Sequence, residues 1–206
     1  GNSKRFWANK NPLGDFVKST ISVYKTIFDF PCELYIYISS ADVYTNHTKP
    51  EYTGEDEEID PKKLQPYGFH KYLSELIVKK YTKKFLILRL SMTLGSKIKK
   101  GPFFDTTHNI PLFVNLKSRL QLITTNAIAE IIETILDDSL VNSIINIGGI
   151  GTFIFTKIHK YFGNEIKILP NAETQIYELN VQKVKTLYPS LKTSEDYLQE
   201  LLNSTR

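Results

Sequence analysis

Residues 33–44 read ELYIYISSADVY, a β-branched and aromatic run that ends in two serines. The composition and length of 33–39 are typical of a β-strand, and its nearly continuous apolarity predicts that both faces are buried. The run FLILRLS at 85–91 has the same character. Strands of this kind occur mainly in parallel sheets covered by helices on both faces, so the two runs predict such a sheet.

Segments with helical spacing of apolar residues alternate with these strand-like runs. Helices are predicted at 15–30, with Asp15 as N-cap, and at 66–80, 126–138 and 193–204. Shorter strands are predicted at 111–115, 143–147 and 166–170, while 1–12 and 45–65 have the composition of polar loops. The alternation predicts an α/β fold with a largely parallel sheet.

Composition narrows the functional class. The 206 residues carry a net charge of +4, which suits an anionic ligand such as a nucleotide but does not indicate a nucleic-acid surface. A single cysteine, Cys32, excludes a disulfide framework and fits a reducing compartment, and we expect it to be buried. No apolar run reaches the length of a membrane span, so we expect a cytoplasmic protein without membrane contact. The four histidines are scattered, which predicts no metal site.

Tyr67 and Lys71 lie four residues apart at the start of the predicted helix 66–80, so both side chains share one face. A cation beside a phenol favours the phenolate and makes tyrosine a usable acid or base. With 12 Tyr and 22 Lys, chance alone predicts about one such pair, and a second pair does occur at Tyr188 and Lys192. Pro189 follows Tyr188 and indicates a turn, so the second pair is interpreted as the chance match.

The order of these motifs resembles the extended short-chain dehydrogenase/reductase superfamily, which includes NAD-dependent sugar epimerases and dehydratases. The strand, the serines of YISSADVY, a polar loop, Tyr-x-x-x-Lys opening a helix and the strand LILRLS follow one another as in that family. SRLQLITTNAIAEII, IINIGGIG and TSEDYLQELL continue the resemblance to about residue 203. It implies a Rossmann-like parallel sheet, the C-terminal half of the doubly wound core, with a small C-terminal substrate-binding subdomain. The expected boundaries are 1–94 and 122–148 for the core, and 95–121 and 149–206 for the substrate-binding part.

The resemblance also implies roles for individual residues. Ser40 becomes the hydroxyl that hydrogen-bonds the reacting oxygen, and Tyr67 the general acid/base. Lys71 would lower the pKa of Tyr67 and bind the ribose of NAD or NADP, with Ser39 nearby in the cofactor site. The expected substrate is a nucleotide sugar, and a homodimer is implied because such proteins often pair through the Tyr-x-x-x-Lys helix. Residues expected near the substrate are Asp42, Lys97, Lys99, Lys100, Ser118, Arg119 and Gln121.

Two of these positions have a second interpretation, and so does a further residue, Arg89. Asp42 stands where dehydratases of the family carry Glu, but a carboxylate that caps the end of the strand is the more ordinary reading. Ser39 can serve packing or hydrogen bonding to backbone, and Arg89, inside an apolar strand, is read as part of a structural ion pair rather than as a phosphate ligand.

One feature of the family is missing from the printed sequence. None of the ten glycines forms the G-x-G-x-x-G or G-x-x-G-x-x-G turn that holds a cofactor pyrophosphate. Two explanations stand side by side: an N-terminal portion lies outside the printed sequence, or the protein has lost its cofactor site. Two functions follow. The chain is either a nucleotide-sugar epimerase or 4-ketosugar reductase, or a non-catalytic relative that binds sugar nucleotides or a protein partner.

Overall fold

A parallel sheet of three strands forms the centre of the computed structural model, which describes residues 4–163 and 166–204. The strands are β1 (Tyr35–Ser40), β2 (Phe85–Leu90) and β7 (Ser143–Ile147), in the order β1-β2-β7. Ser40 lies opposite Leu90, and Leu90 opposite Ile147, so the three carboxyl ends meet at one edge. This confirms the expected α/β class and its Rossmann-like parallel sheet.

Helices cover both faces of β2, because successive side chains of a strand point to opposite sides. Ile87 packs with Val23 of α3 (Ser22–Asp29) and Val78 of α4 (Pro66–Tyr81). Leu86 and Leu88 point the other way and pack against the isoleucines of α6 (Thr125–Asp137). The predicted helices at 66–80 and 126–138 are confirmed.

Strand β1 is only partly buried, which corrects the expectation for 33–39. Tyr37 and Ser39 are buried, but Ile38 is 42% exposed. Among the described strands, β1 pairs only with β2, so it forms the edge of the sheet.

The N-terminal segment is helical from an earlier point than expected. Residues 5–10, expected to be irregular, form α1 (Arg5–Lys10). The helix expected at 15–30 runs as α2 (Pro12–Phe16), a π-helical turn (Val17–Ile21) and α3. Its cap is Asn11, whose Oδ1 accepts from the Gly14 amide at 3.1 Å, rather than Asp15. Cys32 is exposed, not buried as expected.

Short strands and helices build the remainder of the chain around a second core. Its aromatic centre is Phe103, Phe153 and Phe155, packed with Leu112 and Ile158. This core also takes in Leu94 and Leu122, which the expected domain boundaries assign to the other part, so that division stays a prediction. The elements are β3 (Met92–Leu94), α5 (Pro102–Thr107), β4 (Leu112–Val114), β5 (Arg119–Leu120), β6 (Leu122–Thr124), β8 (Phe153–Ile154), α7 (Ile158–Phe162), β9 (Ile168–Glu173), β10 (Ile176–Tyr177), α8 (Gln182–Leu187) and α9 (Ser194–Ser204).

These strands pair in small groups: β3 with β6, β4 with β9, and β5 between β10 and β8. The strand predicted at 166–170 is present as β9, and the helix predicted at 193–204 as α9. Within residues 4–163 and 166–204, no helix is both long and apolar enough to cross a membrane.

Candidate active site

Ser40 and Tyr67 meet where the central sheet ends. Ser40 is the last residue of β1, and Tyr67 is the second residue of α4. The Ser40 side chain lies close enough to Tyr67 to act on the pKa of its phenol. Lys71 follows one helical turn after Tyr67, and both residues are more than nine-tenths buried. The structure thus places the three expected catalytic residues on two adjoining elements.

Gly68 explains how helix α4 comes so close to the end of β1. A Cβ atom at Gly68 would lie 2.0 Å from the carbonyl oxygen of Asp42, which belongs to the short 3-10 turn Ala41–Val43. Only glycine allows this contact. Asn9 of α1 fixes the same helix end, since its Oδ1 accepts from the Tyr67 amide at 3.0 Å. The glycine after Tyr67 therefore helps to set the position of the phenol.

Burial raises the pKa of Tyr67, and the negative charge of Asp42 raises it further. The Ser40 hydroxyl and the charge of Arg5 act on the pKa in the opposite direction but are weaker. The resemblance implied that Lys71 lowers the pKa of Tyr67. In the structure, burial and the charge of Asp42 outweigh the charge of Arg5, so the pKa of Tyr67 is raised overall. Near neutral pH, Tyr67 therefore carries its proton.

Lys71 reaches the open edge of β1. Its Nζ donates to the carbonyl oxygen of Ile38 at 2.8 Å and lies 5.2 Å from the centre of the Tyr37 ring. Burial lowers the pKa of Lys71 to about 8, although the carboxylates of Asp15 and Glu75 favour its charged form. The amine remains mostly protonated at neutral pH.

Asp42 lies at the centre of a polar cluster beside Ser40. Its Oδ1 accepts from the Tyr177 hydroxyl at 2.8 Å and from Nη1 of Arg5 at 3.2 Å. Its Oδ2 accepts from the Ser40 hydroxyl at 3.1 Å. Arg5 also bonds to the Tyr177 hydroxyl and, through Nη2, to Gln175 at 2.9 Å. The cluster joins α1, the end of β1 and β10.

A buried ion pair joins β2 and α4 next to the site. Arg89 of β2 bonds to Glu75 of α4 through Nε at 3.1 Å and Nη2 at 2.8 Å, and both side chains are almost fully buried. Ser39 donates to Glu75 Oε1 at 2.5 Å. Arg89 also donates to the Tyr44 hydroxyl at 2.9 Å. The structural reading of Arg89 is confirmed, and the bond from Ser39 goes to a carboxylate rather than to backbone.

A second buried pair joins α2 to α4. Nδ1 of His70 and Oδ2 of Asp15 lie 2.7 Å apart, and both side chains are buried. Thr20 donates to the carbonyl oxygen of His70 at 3.3 Å. Asp15, expected as a helix cap, therefore helps to hold α4 in place.

The residues expected near the substrate lie in three settings. Lys97 and Lys99 are exposed in the loop after β3, and Lys100 acts on the charge of Lys71 from the same loop. Arg119 lies on β5. Burial raises the pKa of Glu178, and the charge of Arg119 opposes this rise. Ser118 and Gln121 are fully buried: Ser118 accepts from the Gln175 amide at 3.0 Å, and Gln121 donates to Gly149 O at 2.8 Å. Their hydroxyl and amide groups hold chain segments together.

Sequence reasoning missed Arg5 and Tyr177. Arg5 lies 37 residues from Asp42 in sequence and Tyr177 lies 135 residues from it, so no local pattern links them. One signal was available, because the chain has only four arginines among 26 basic residues. Two of the four, Arg5 and Arg89, contact the cluster around Ser40 or the ion pair beneath it.

The donor groups present fit the ribose end of a nicotinamide cofactor. Lys71 uses one of its three N–H groups on Ile38, and two others are suited to ribose hydroxyls. No group of three histidine, cysteine or carboxylate side chains among residues 4–163 and 166–204 could hold a metal ion.

Solved structures of three enzymes share the fold. A UDP-galactose 4-epimerase is 15% identical, with a TM-score of 0.81, and the match covers 100% of this chain and 75% of that chain. The double mutant of DesIV, a dTDP-glucose 4,6-dehydratase from Streptomyces venezuelae with NAD and DAU bound, is 14% identical, with a TM-score of 0.79 and coverage of 98% and 70%. UDP-N-acetylglucosamine 4-epimerase from Methanobrevibacter ruminantium M1, in complex with UDP-N-acetylmuramic acid, is 17% identical, with a TM-score of 0.74 and coverage of 98% and 72%. Such identities establish a common fold alone.

A family assignment comes from sequence. No curated protein matches the chain. The family model described as NAD dependent epimerase/dehydratase matches residues 3–148, well over half of the 206 residues. The match confirms the resemblance given by the YISSADVY and Tyr-x-x-x-Lys motifs, and the family description names the expected cofactor, NAD. The chain belongs to the NAD dependent epimerase/dehydratase family.

Proposed function

We propose that the protein acts as an NAD-dependent nucleotide-sugar epimerase or 4-ketosugar reductase. Family membership supports the cofactor and the reaction type. The fold shared with a UDP-galactose 4-epimerase and a UDP-N-acetylglucosamine 4-epimerase supports a nucleotide sugar as substrate. The single cysteine is compatible with a cytoplasmic enzyme.

The observation that carries this proposal is the position of Ser40, Tyr67 and Lys71. The end of β1 supplies the serine, and the first turns of α4 supply the tyrosine and the lysine. Gly68 makes the contact between these elements sterically possible. A chance Tyr-x-x-x-Lys pair would need neither the serine partner nor the burial.

Each residue of the proposed catalytic set would have its own role. Bound NAD supplies hydride transfer to and from the sugar carbon. Tyr67 would hold or give the proton at its phenolic oxygen, while Ser40 would hydrogen-bond the reacting oxygen of the substrate. The two remaining N–H groups of Lys71 bind ribose hydroxyls. Ser39 supports the cofactor site indirectly, through Glu75.

Substrate recognition falls to the segments 95–121 and 149–206, which we propose as the substrate-binding part. Arg119 and the lysines at 97, 99 and 100 provide positive charge suited to a diphosphate. Ser118 and Gln121 would act by holding these segments in place, since their side chains bond within the protein.

An exposed apolar stripe supports a homodimer. Leu13, Val17, Ile21, Tyr24 and Phe28 are all exposed and follow one another every three or four residues along α2 and α3. The Tyr24 ring meets that of Tyr81 on α4 at 5.2 Å, which extends the stripe to the second helix. An apolar surface of this extent is typical of an interface. We propose that two copies pair through these helices.

Light scattering tests the dimer. Val17→Glu places a charge within the stripe, so we expect it to give monomers. Leu136→Glu, at a site of similar exposure on α6, is the matched control and should leave the dimer intact. Equal masses for the native protein and Val17→Glu would contradict the interface.

The proposed function is tested by offering the purified protein NAD(H) or NADP(H) in calorimetry, followed by UDP-glucose and UDP-galactose. We expect saturable binding of NAD and interconversion of the two sugars, or reduction of a 4-keto sugar nucleotide. The alternative that this experiment distinguishes is a binding protein without catalysis. Binding of the sugar nucleotide without binding of either cofactor would support that candidate instead.

A further inference from the structure

A strap formed by residues 47–55, in the polar loop between β1 and α4, lies along the segment 176–180. Each end of the strap has one anchor, His47 or Thr53, that bonds to this segment. The segment carries Tyr177 of β10. The bond that the Thr53 hydroxyl donates to the segment spans 125 residues of sequence, so no local pattern predicts the strap.

His47 is the first anchor. Its carbonyl oxygen accepts from the Glu178 amide at 2.8 Å, and its Nδ1 donates to the carbonyl oxygen of Ile176 at 2.9 Å. The His47 ring stacks on the Tyr177 ring, with centroids 3.7 Å apart and planes 12° from parallel. His47 therefore holds Tyr177 itself and the main chain on either side of it.

Thr53 is the second anchor, and it is fully buried. Its hydroxyl accepts from the Asn180 amide at 2.8 Å and lies 3.2 Å from the carbonyl oxygen of Glu178 and 3.3 Å from that of Pro50, as the donor. Its own carbonyl oxygen accepts from Nδ2 of Asn146 on β7 at 2.6 Å, and the same Nδ2 donates to Asn180 O at 3.1 Å. Thr53 therefore ties the segment to the central sheet.

Tyr177 connects the strap to the candidate active site. Its hydroxyl donates to Oδ1 of Asp42 at 2.8 Å, and the Arg5 guanidinium lies 5.3 Å from the centre of its ring. The other carboxylate oxygen of Asp42 accepts from the Ser40 hydroxyl at 3.1 Å. The two anchors are therefore linked to Asp42 and Ser40 through Tyr177.

We propose that His47 and Thr53 are positioning residues of the substrate site: they fix Tyr177, which holds the Asp42 carboxylate beside Ser40. This role rests on the proposed function for its catalytic meaning. A displacement of about 1 Å at the reacting groups can cost about 10²-fold in rate, even when the substitution lies far from the chemistry. Neither anchor needs to touch the substrate to affect turnover.

Thr53→Val tests the second anchor, because valine keeps the shape of threonine and lacks its hydroxyl. Isotope-labelled tyrosine rings are followed by NMR against pH, and the Tyr177 signal is assigned by its loss in Tyr177→Phe. Burial and the charge of Asp42 raise the pKa of Tyr177, the charge of Arg5 opposes this rise, and the His47 ring stacks beside it. In the native protein the signal should stay constant up to about pH 11. In Thr53→Val it should begin to move at least about one pH unit earlier, because the released phenol meets water.

Two controls separate positioning from a general loss of packing. Thr48→Val removes another hydroxyl of the strap, one that bonds within the loop at 2.7 Å, and should leave the Tyr177 signal unchanged. The Tyr44 signal is the second control, because this buried hydroxyl accepts from Arg89 rather than from the strap. It should stay constant over the same pH range in Thr53→Val.

Turnover measures the consequence for the site. With the sugar nucleotide that the native protein converts, Thr53→Val should lose about 10-fold or more in kcat and keep its affinity for NAD. His47→Ala, which removes the first anchor, should do the same. In a Tyr177→Phe background both losses should be smaller, because the hydroxyl on which the anchors act is gone. Equal losses in the two backgrounds would contradict action through Tyr177.

Three titration results would overturn the proposal. They are an unchanged Tyr177 signal in Thr53→Val, equal shifts of the Tyr44 and Tyr177 signals in that variant, and titration of native Tyr177 near pH 10 or below. The last result does not depend on the folding of any variant. The titrations need no substrate, so a protein inactive on all nucleotide sugars would refute the proposed function and leave these measurements valid.

Discussion

The chain contains two Tyr-x-x-x-Lys pairs, which have the same spacing but differ in burial, secondary structure and bonding partners. Tyr67 and Lys71 lie buried at the start of α4. Tyr188 lies at the end of α8 and Lys192 in the following loop, with the lysine side chain about half exposed. Tyr188 donates to Glu130 at 2.6 Å, and Lys192 pairs with Glu200. Four residues of separation place side chains on one face only where the chain is helical.

The ionisation of the two lysines shows what burial changes. The hydrogen bond to Glu200 raises the pKa of Lys192, whereas burial lowers the pKa of Lys71 to about 8. The Glu130 bond raises the pKa of Tyr188 to about 12, and burial is the main cause that raises the pKa of Tyr67. Carboxylates on the surface stabilise the exposed pair, while removal from water perturbs the buried one. Perturbation by burial is the more typical property of a functional site.

Breaking the ion pair in each of the two regions should give the largest difference in the free energy of unfolding. Glu75→Gln leaves Arg89 buried without its carboxylate, so we expect a loss of about 3–5 kcal/mol in the free energy of unfolding. Glu200→Gln breaks the exposed Lys192 pair and should change stability little. Urea unfolding of both variants measures this. Similar losses would show that the site is not built on a buried ion pair.

Adding a methyl group tests the close packing of the buried pair. Gly68→Ala would force the added carbon against the Asp42 carbonyl oxygen, and we expect a loss of about 1–3 kcal/mol together with reduced activity. Gly54→Ala is the control, because a Cβ there meets nothing within 4 Å. Unfolding curves and turnover are compared with the native protein. A neutral Gly68→Ala would mean that α4 can shift without consequence for the site.

The pH dependence of stability distinguishes the two lysines. The pKa of Lys71 is lower in the folded state than in the unfolded state, so the unfolded chain binds more protons between about pH 8 and pH 10.5. Stability should therefore rise with pH over that window by about 1–3 kcal/mol from this group. Lys71→Met should lose the rise, while Lys192→Met should keep it. Parallel curves for native protein and Lys71→Met would contradict the effect of burial.

Much of the fold was predictable because its strongest elements are continuous in sequence. The strand FLILRLS is predicted by its apolar, β-branched composition, and the helix at 126–138 by the helical spacing of its apolar residues. Both are present as predicted. The two-residue strands β5, β8 and β10 are too short to carry a period, so pairing alone defines them. The π-helical turn at Val17–Ile21 likewise has no signature in its residues.

The candidate site, like the fold, was predictable only where its residues form local motifs. Ser40, Tyr67 and Lys71 could be proposed from the sequence because each motif is local and their order is that of a family. The electrostatics around them were not predictable, because Arg5 and Tyr177 reach Asp42 from distant parts of the chain. The raised pKa of Tyr67 was not predictable either, because its main cause, burial, is a property of the folded molecule.

The most direct test of the central claim is the turnover of Tyr67→Phe beside that of Tyr188→Phe, with NAD and the sugar nucleotide that the native protein converts. Each variant removes one hydroxyl from a Tyr-x-x-x-Lys pair. Tyr67→Phe should keep the fold and ligand binding yet lose about 10²–10⁴-fold in kcat, the usual value of a positioned proton-transfer group. Tyr188→Phe should retain native turnover. Equal activity of the two variants would contradict the account. It would mean that the spacing of Tyr67 and Lys71 is a coincidence.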